Sequence, residues 1–190
     1  MSFVNYYIGW VFVISVSASS TSQPIDELEL LDWGTRIGVA GRCERIIIGE
    51  GPRRKQKEMS KSKEMSKSQF ENLITLLDAT TGREALLATA AYALRQAQRQ
   101  EIGRITAILI KQALMDSYKK GIDKKFVRKM LDFARWVYEA IEDYERYRNV
   151  IDNYRRIFDN DRLSDQDKIQ QLNQLTLYQF LKQLGQQKTG

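Results

Sequence analysis

From Ser68 to Phe158 apolar residues return every three or four positions, a spacing that puts them on one side of an α-helix and rules out strands over the same stretch. Phe70, Leu73, Ile74 and Leu77 line a first short helix. An alanine-rich stretch follows from Gly82 towards Lys120, with Leu87, Ala91, Leu94 and Ala97 at helical spacing and side chains small enough for a neighbouring helix to come close. Gly103 marks a break or kink inside it, and Ile105, Ile108, Leu109 and Leu114 carry the apolar face onward. Ser68 with Glu71, and Thr81 with Glu84, have the spacing of capping boxes. Gly121 supplies a stop and Asp123 a cap, after which Phe126, Met130, Phe133, Val137, Ile141, Tyr144 and Ile151 predict one long helix from Lys124 to Phe158. Asp159-Asn160 ends that run. Ser164 caps a last helix carrying Ile169, Leu172, Leu175, Phe180, Leu181 and Leu184. Its glutamines (Gln170, Gln171, Gln174, Gln183, Gln186, Gln187) suit an exposed position, with fraying expected after Leu184. The fold class is therefore all-α, a compact helical bundle of about four to five helices. Residues 67–158 form its core, and 159–190 a peripheral C-terminal helix and tail.

Residues 1–66 read differently, as a leader and basic linker that is either disordered or not native. Phe3 to Ala18 is an apolar run, and Val16-Ser17-Ala18 could pass for a signal-peptidase site. No lysine or arginine precedes the run, and it is shorter than the roughly 20 apolar residues that span a bilayer. Gly38-Val39-Ala40-Gly41 lacks the third glycine of a dinucleotide cradle, and no Walker-type lysine follows, so it reads as a turn. Ile46-Ile47-Ile48 suits one short strand. The segment around Met59-Ser-Lys-Ser-Lys-Glu is echoed at Met65-Ser-Lys-Ser without apolar periodicity, as in a linker. Methionine opens both copies, which suggests translation starting at Met59 or Met65.

The residues that are missing exclude much chemistry. With no histidine and Cys43 as the only cysteine, the chain offers no Ser-His-Asp or Cys-His nucleophile, no thiol cluster for zinc and no internal disulfide. A reducing, cytoplasmic setting fits such a chain. Glu139, Glu142, Asp143 and Glu145 form the densest acidic group, but Arg135 and Arg146 stand close enough to pair with them, so a solvated helix face is expected there, with no metal. No catalytic residue and no cofactor are predicted.

The net charge is +6, and the basic excess falls between residues 53 and 135. Arg95 and Arg99 lie one turn apart, and Arg104 and Lys111 two turns apart. Lys119, Lys120, Lys124 and Lys125 cluster around the Gly121 turn, and Arg128, Lys129 and Arg135 belong to the long helix. Cations outside the apolar stripes are suited to the phosphates of a nucleic-acid backbone, whose binding is sequence-independent and salt-sensitive. A helical protein-protein adaptor without nucleic-acid binding is the alternative that the same pattern leaves open.

Three segments, Ala85-Leu-Leu-Ala-Thr-Ala-Ala-Tyr-Ala-Leu-Arg-Gln-Ala-Gln-Arg99, Leu109-Ile-Lys-Gln-Ala113 and Lys125-Phe-Val-Arg-Lys-Met-Leu-Asp-Phe-Ala-Arg-Trp-Val-Tyr-Glu-Ala-Ile141, resemble the small subunit of type III CRISPR RNA-guided effector complexes, in its type III-A form. The likeness covers about 75 residues and leaves out the first 65 and the last 30. It implies a helical, non-enzymatic protein of antiviral defence that stacks with copies of itself beside the large subunit and the backbone subunits, without a membrane. Its partners would be guide RNA and target RNA. The residues that the likeness points to are Arg95, Arg99, Lys111, Lys125, Arg128, Lys129 and Arg135. Tyr92 and Trp136 are expected mainly as packing residues rather than base-stacking ones.

Overall fold

A computed structural model describes residues 27–47, 62–142 and 144–185. Phe3–Ala18, the opening Met59-Ser60-Lys61 of the first serine-lysine copy, Asp143 and the tail 186–190 lie outside the described residues. Eight helices are present among the described residues: α1 (Glu27–Cys43), α2 (Lys67–Ala79), α3 (Glu84–Gln98), α4 (Arg104–Lys120), α5 (Lys124–Ala140), α6 (Tyr144–Phe158), α7 (Asp165–Asn173) and α8 (Leu177–Gly185). The only strands among those residues are β1 (Ile46–Ile47) and β2 (Ser62–Lys63), an antiparallel two-residue ladder with Ile46 opposite Lys63. The all-α class stands. None of these helices is long and apolar enough to cross a membrane.

α1 runs along α5, and two glycines set how close it comes. A Cβ on Gly34 would lie 2.9 Å from the Met130 carbonyl oxygen, and one on Gly38 would lie 2.5 Å from that of Ala134 and 2.7 Å from Val137 Cβ. Bare backbone therefore meets backbone along this seam, and Ile37, Val39 and Ala40 are wholly buried beside it. Gly38 to Gly41 is thus a buried turn of helix, where the sequence suggested a loop. The error follows from reading glycine as punctuation when its lack of a side chain serves helix packing.

A boundary at residue 66 does not describe the bundle either, because α1 belongs to the same core as α2–α6. Met65 is buried, its carbonyl accepts a 2.6 Å hydrogen bond from Tyr138 Oη, and Arg42 Nη1 donates to that same hydroxyl at 3.3 Å. A chain starting at Met59 or Met65 would leave the α5 face that α1 covers open to water.

Phe70, Leu73, Ile74 and Leu77 of α2 are all buried, as expected. The Ser68 and Thr81 capping boxes do not form: α2 starts after Ser66, α3 starts after Arg83, and neither cap residue makes a side-chain cap bond. On α3 the buried face is Ala85, Leu86, Thr89, Ala90, Ala93 and Gln96, one residue round from the expected stripe, and Ala91 is exposed. Alanine flanks both faces of this helix, so spacing alone could not choose between them.

Gly121 does end α4, in a left-handed conformation at φ 70° that favours glycine, and Asp123 does cap α5 through Lys125 N. The single helix expected from Lys124 to Phe158 is broken after Ala140. Ile141, still fully buried, leaves helical geometry at φ −102°, and α6 resumes at Tyr144. Ser164 and Asp167 form a complete capping box on α7. A second reciprocal pair then splits the expected last helix: Thr176 N donates to Gln179 Oε1 and Gln179 N to Thr176 Oγ1, starting α8. Ile169, Leu172 and Phe180 are buried in the main core, so these helices are less peripheral than their glutamines suggested.

Candidate nucleic-acid interface

α3 and α4 form an antiparallel hairpin, turned through Arg99–Gly103 with Gln100 at φ 60°. Its open end is tied by Arg83, whose guanidinium donates to the Tyr118 carbonyl and lies 4.8 Å from that ring's centroid. At the turn, the carboxylate of Glu44 lies under Gly103 and accepts from Ile105 N at 2.9 Å, Thr106 N at 2.8 Å and Thr106 Oγ1 at 2.6 Å. A distant side chain thereby supplies the acceptors that the first turn of α4 lacks. Burial raises the Glu44 carboxyl above the usual carboxylate range, against the lowering effect of those hydrogen bonds. Gly103 stands at the break between α3 and α4, as the sequence indicated, and a Cβ there would fall 2.0 Å from Glu44 Oε2, so the position also leaves room for the carboxylate.

The structure divides the expected basic residues by what already holds them. Arg128 donates through Nε to Asp78 at 2.9 Å and through Nη1 to Asp132 at 2.7 Å, joining α2 to α5, and its pKa is raised by the Asp78 hydrogen bond and then by the Asp132 charge. Lys120 is bound by Glu29 at 2.6 Å and Asp116 at 2.9 Å, and its pKa is raised by hydrogen bonds to these two carboxylates. Lys124 donates to the Asp78 and Thr80 carbonyls at the end of α2, and Arg104 meets Asp165 of α7 at 3.0 Å. Arg135 is half-buried between Asp132 and Glu139, at 3.9 and 3.7 Å, while Lys129 lies over the Phe126 ring. A phosphate approaching these side chains would meet a carboxylate or a carbonyl beside most of them, which weakens its hold.

Arg95, Arg99, Lys111, Lys119 and Lys125 are exposed and have no carboxylate within ion-pair distance among the described residues. They do not form one patch. Arg95 and Arg99 stand at the turn end of the hairpin. Lys119 and Lys125 flank Gly121 at the opposite end, about 25 Å away by the length of α4. Lys111 sits between them, and with Lys119 it lines an open cleft.

The acidic group expected on the long helix is partly described. Glu139 pairs with Lys67 at 2.7 Å and, more loosely, with Arg135. No three acidic or thiol side chains converge on a metal position among the described residues. Cys43 is wholly buried, and burial pushes its thiol up to about 12. Beside it, Glu64 joins Arg42 at 3.2 Å and Arg155 at a closer contact.

Reading the sequence missed two participants. Glu44, in a segment taken as leader, positions the start of α4 by reaching across 61 residues. Trp33 lines the cleft beside Lys111 and Lys119 although it lies far from them in sequence. Only recognition of α1 as a packed helix could have found either. Comparison of the chain with protein-family models, with curated proteins and with solved structures returns no match.

Proposed function

We propose that this chain is a non-catalytic small subunit of a type III CRISPR RNA-guided ribonucleoprotein of the cytoplasm, holding guide and target RNA for antiviral defence. The observation that carries the reading is the set of cations without an acidic partner among the described residues along the α3–α4 hairpin and the start of α5: Arg95, Arg99, Lys111, Lys119 and Lys125. Spread over about 25 Å, they suit an extended phosphate backbone better than a compact anion. The likeness of residues 85–99, 109–113 and 125–141 to that family supplies the assembly. Large and backbone subunits would be neighbours, and further copies of the chain would add their few contacts through effective concentration.

Salt dependence tests the site. Replacing Arg95 and Arg99 by glutamine is expected to lower the slope of log affinity against log salt by about 1.4 for single-stranded RNA, two phosphate contacts at about 0.7 each, with the circular-dichroism spectrum unchanged. An unaltered slope would count against these residues. Purifying a tagged copy from its own cells tests the assembly: guide RNA and companion subunits should come with it.

A protein-binding adaptor is the second reading. Tyr178 and Leu181, 75% and 55% exposed and one turn apart on α8, favour it. Partners that stay bound after nuclease treatment, with no RNA copurifying, would move the conclusion there.

A further inference from the structure

The cleft beside Lys111 and Lys119 is open to solvent and offers a volume of about 420 Å³. Three helices build it. α1 contributes Trp33; α4 contributes Lys111, Gln112, Met115, Asp116 and Lys119; and Asn173 closes α7 at the rim. Lys111 and Lys119 are eight residues apart on one helix, so about 12 Å of helix axis separates them. The indole, which carries the Arg36 guanidinium over its ring at 5.2 Å from the centroid, and Met115 lie among the lining side chains of the same cleft.

The electrostatics of this lining favour an anion even though a carboxylate is present. Asp116 is already engaged by Lys120 at 2.9 Å, which leaves Lys111 and Lys119 without an acidic partner among the described residues. Gln112 Oε1 is buried and has no hydrogen-bond donor among the described residues, so turning that carboxamide outward to a ligand breaks no bond at its oxygen. Gln112 and Asn173 each offer both a donor and an acceptor, as the edge of a nucleobase requires.

We infer that this cleft seats one nucleotide unit, its base against Trp33 and Met115, its edge met by Gln112 and Asn173, and its flanking phosphates held by Lys111 and Lys119. Aromatic stacking combined with lysine-phosphate contact is how proteins hold single-stranded RNA without strong sequence preference. The inference deepens the proposed RNA-holding role and rests on it for the source of the nucleotide, which would be an unpaired stretch of a bound strand. A free nucleoside monophosphate has the same chemistry, and the experiment separates the two.

The full-length protein would be titrated with a hexauridylate and, separately, with the four nucleoside monophosphates, following tryptophan fluorescence. Wild type, Trp33→Phe and the exposed pair Lys111→Glu/Lys119→Glu would be compared. The expected result is quenching by the hexamer that disappears in Trp33→Phe, with affinity at least tenfold weaker in the lysine pair, whose exposed positions leave the fold intact. If the hexamer binds, but its quenching survives in Trp33→Phe and its affinity is unchanged in the lysine pair, the cleft assignment is overturned while the proposed function stands. Should monophosphates give the Trp33 signal and the hexamer not, the cleft is upheld as a free-nucleotide site and the strand-holding role fails. If neither ligand binds, both ideas are rejected.

Discussion

Glu44 shows how much can depend on one side chain. It is a buried carboxylate that accepts three hydrogen bonds at the start of α4, yet desolvation still raises its pKa. The folded protein therefore keeps the Glu44 proton at pH values where the unfolded chain, with its ordinary value of 4.5, has lost it. The contribution of this group to stability is then greatest below about 4.5 and declines as pH rises through the folded value. Comparing urea unfolding of the wild type and Glu44→Gln from pH 4 to 7 isolates this term. The wild type is expected to lose ground to the variant as pH rises, and a constant difference would show that Glu44 does not titrate in this way. Glu44→Ala should cost about 1–3 kcal/mol at pH 4, because Ile105 N and Thr106 N are left without an acceptor, and less as pH rises.

At the scale of elements, the seam between α1 and α5 is the tightest joint in the fold. Gly38→Ala places a methyl group 2.5 Å from the Ala134 carbonyl oxygen, so the helices must separate, at a cost of about 1–3 kcal/mol read as a lower urea midpoint. An unshifted midpoint would mean that α1 does not dock as described. This joint also shows what the sequence could and could not reveal. The stripe of α2 and the caps at Asp123 and Ser164 were legible because each depends on residues within one turn. The break after Ala140 was not, because Ile141 remains buried and the apolar spacing runs through it without a gap. The start of α8 did carry a local signal, Thr176 with Gln179, hidden in a glutamine-rich stretch. For the candidate site, the sequence disclosed which cations exist but not which are already neutralised. Arg128 and Arg99 look alike on paper, and only the fold brings Asp78, fifty residues away, against the former.

Across the whole molecule, one core joins α1 to the helices beyond the linker, so residues 27–43 should unfold with the rest rather than before it. Hydrogen exchange checks this. Amides of Ile37, Val39 and Ala40 are expected to match the protection of Leu131 and Ala134 on α5, with α8 opening more readily because Tyr178 and Leu181 are exposed. Rapid exchange throughout α1 would restore the view of this segment as an appendage. The pairing of Glu44 with Gly103 has a last implication, for descent rather than for stability. Since the acid fills the space that any β-carbon at 103 would occupy, the two positions are bound to a shared history: lineages that keep the carboxylate must keep the glycine, and a larger residue at 103 should arise only where the acid has already been lost.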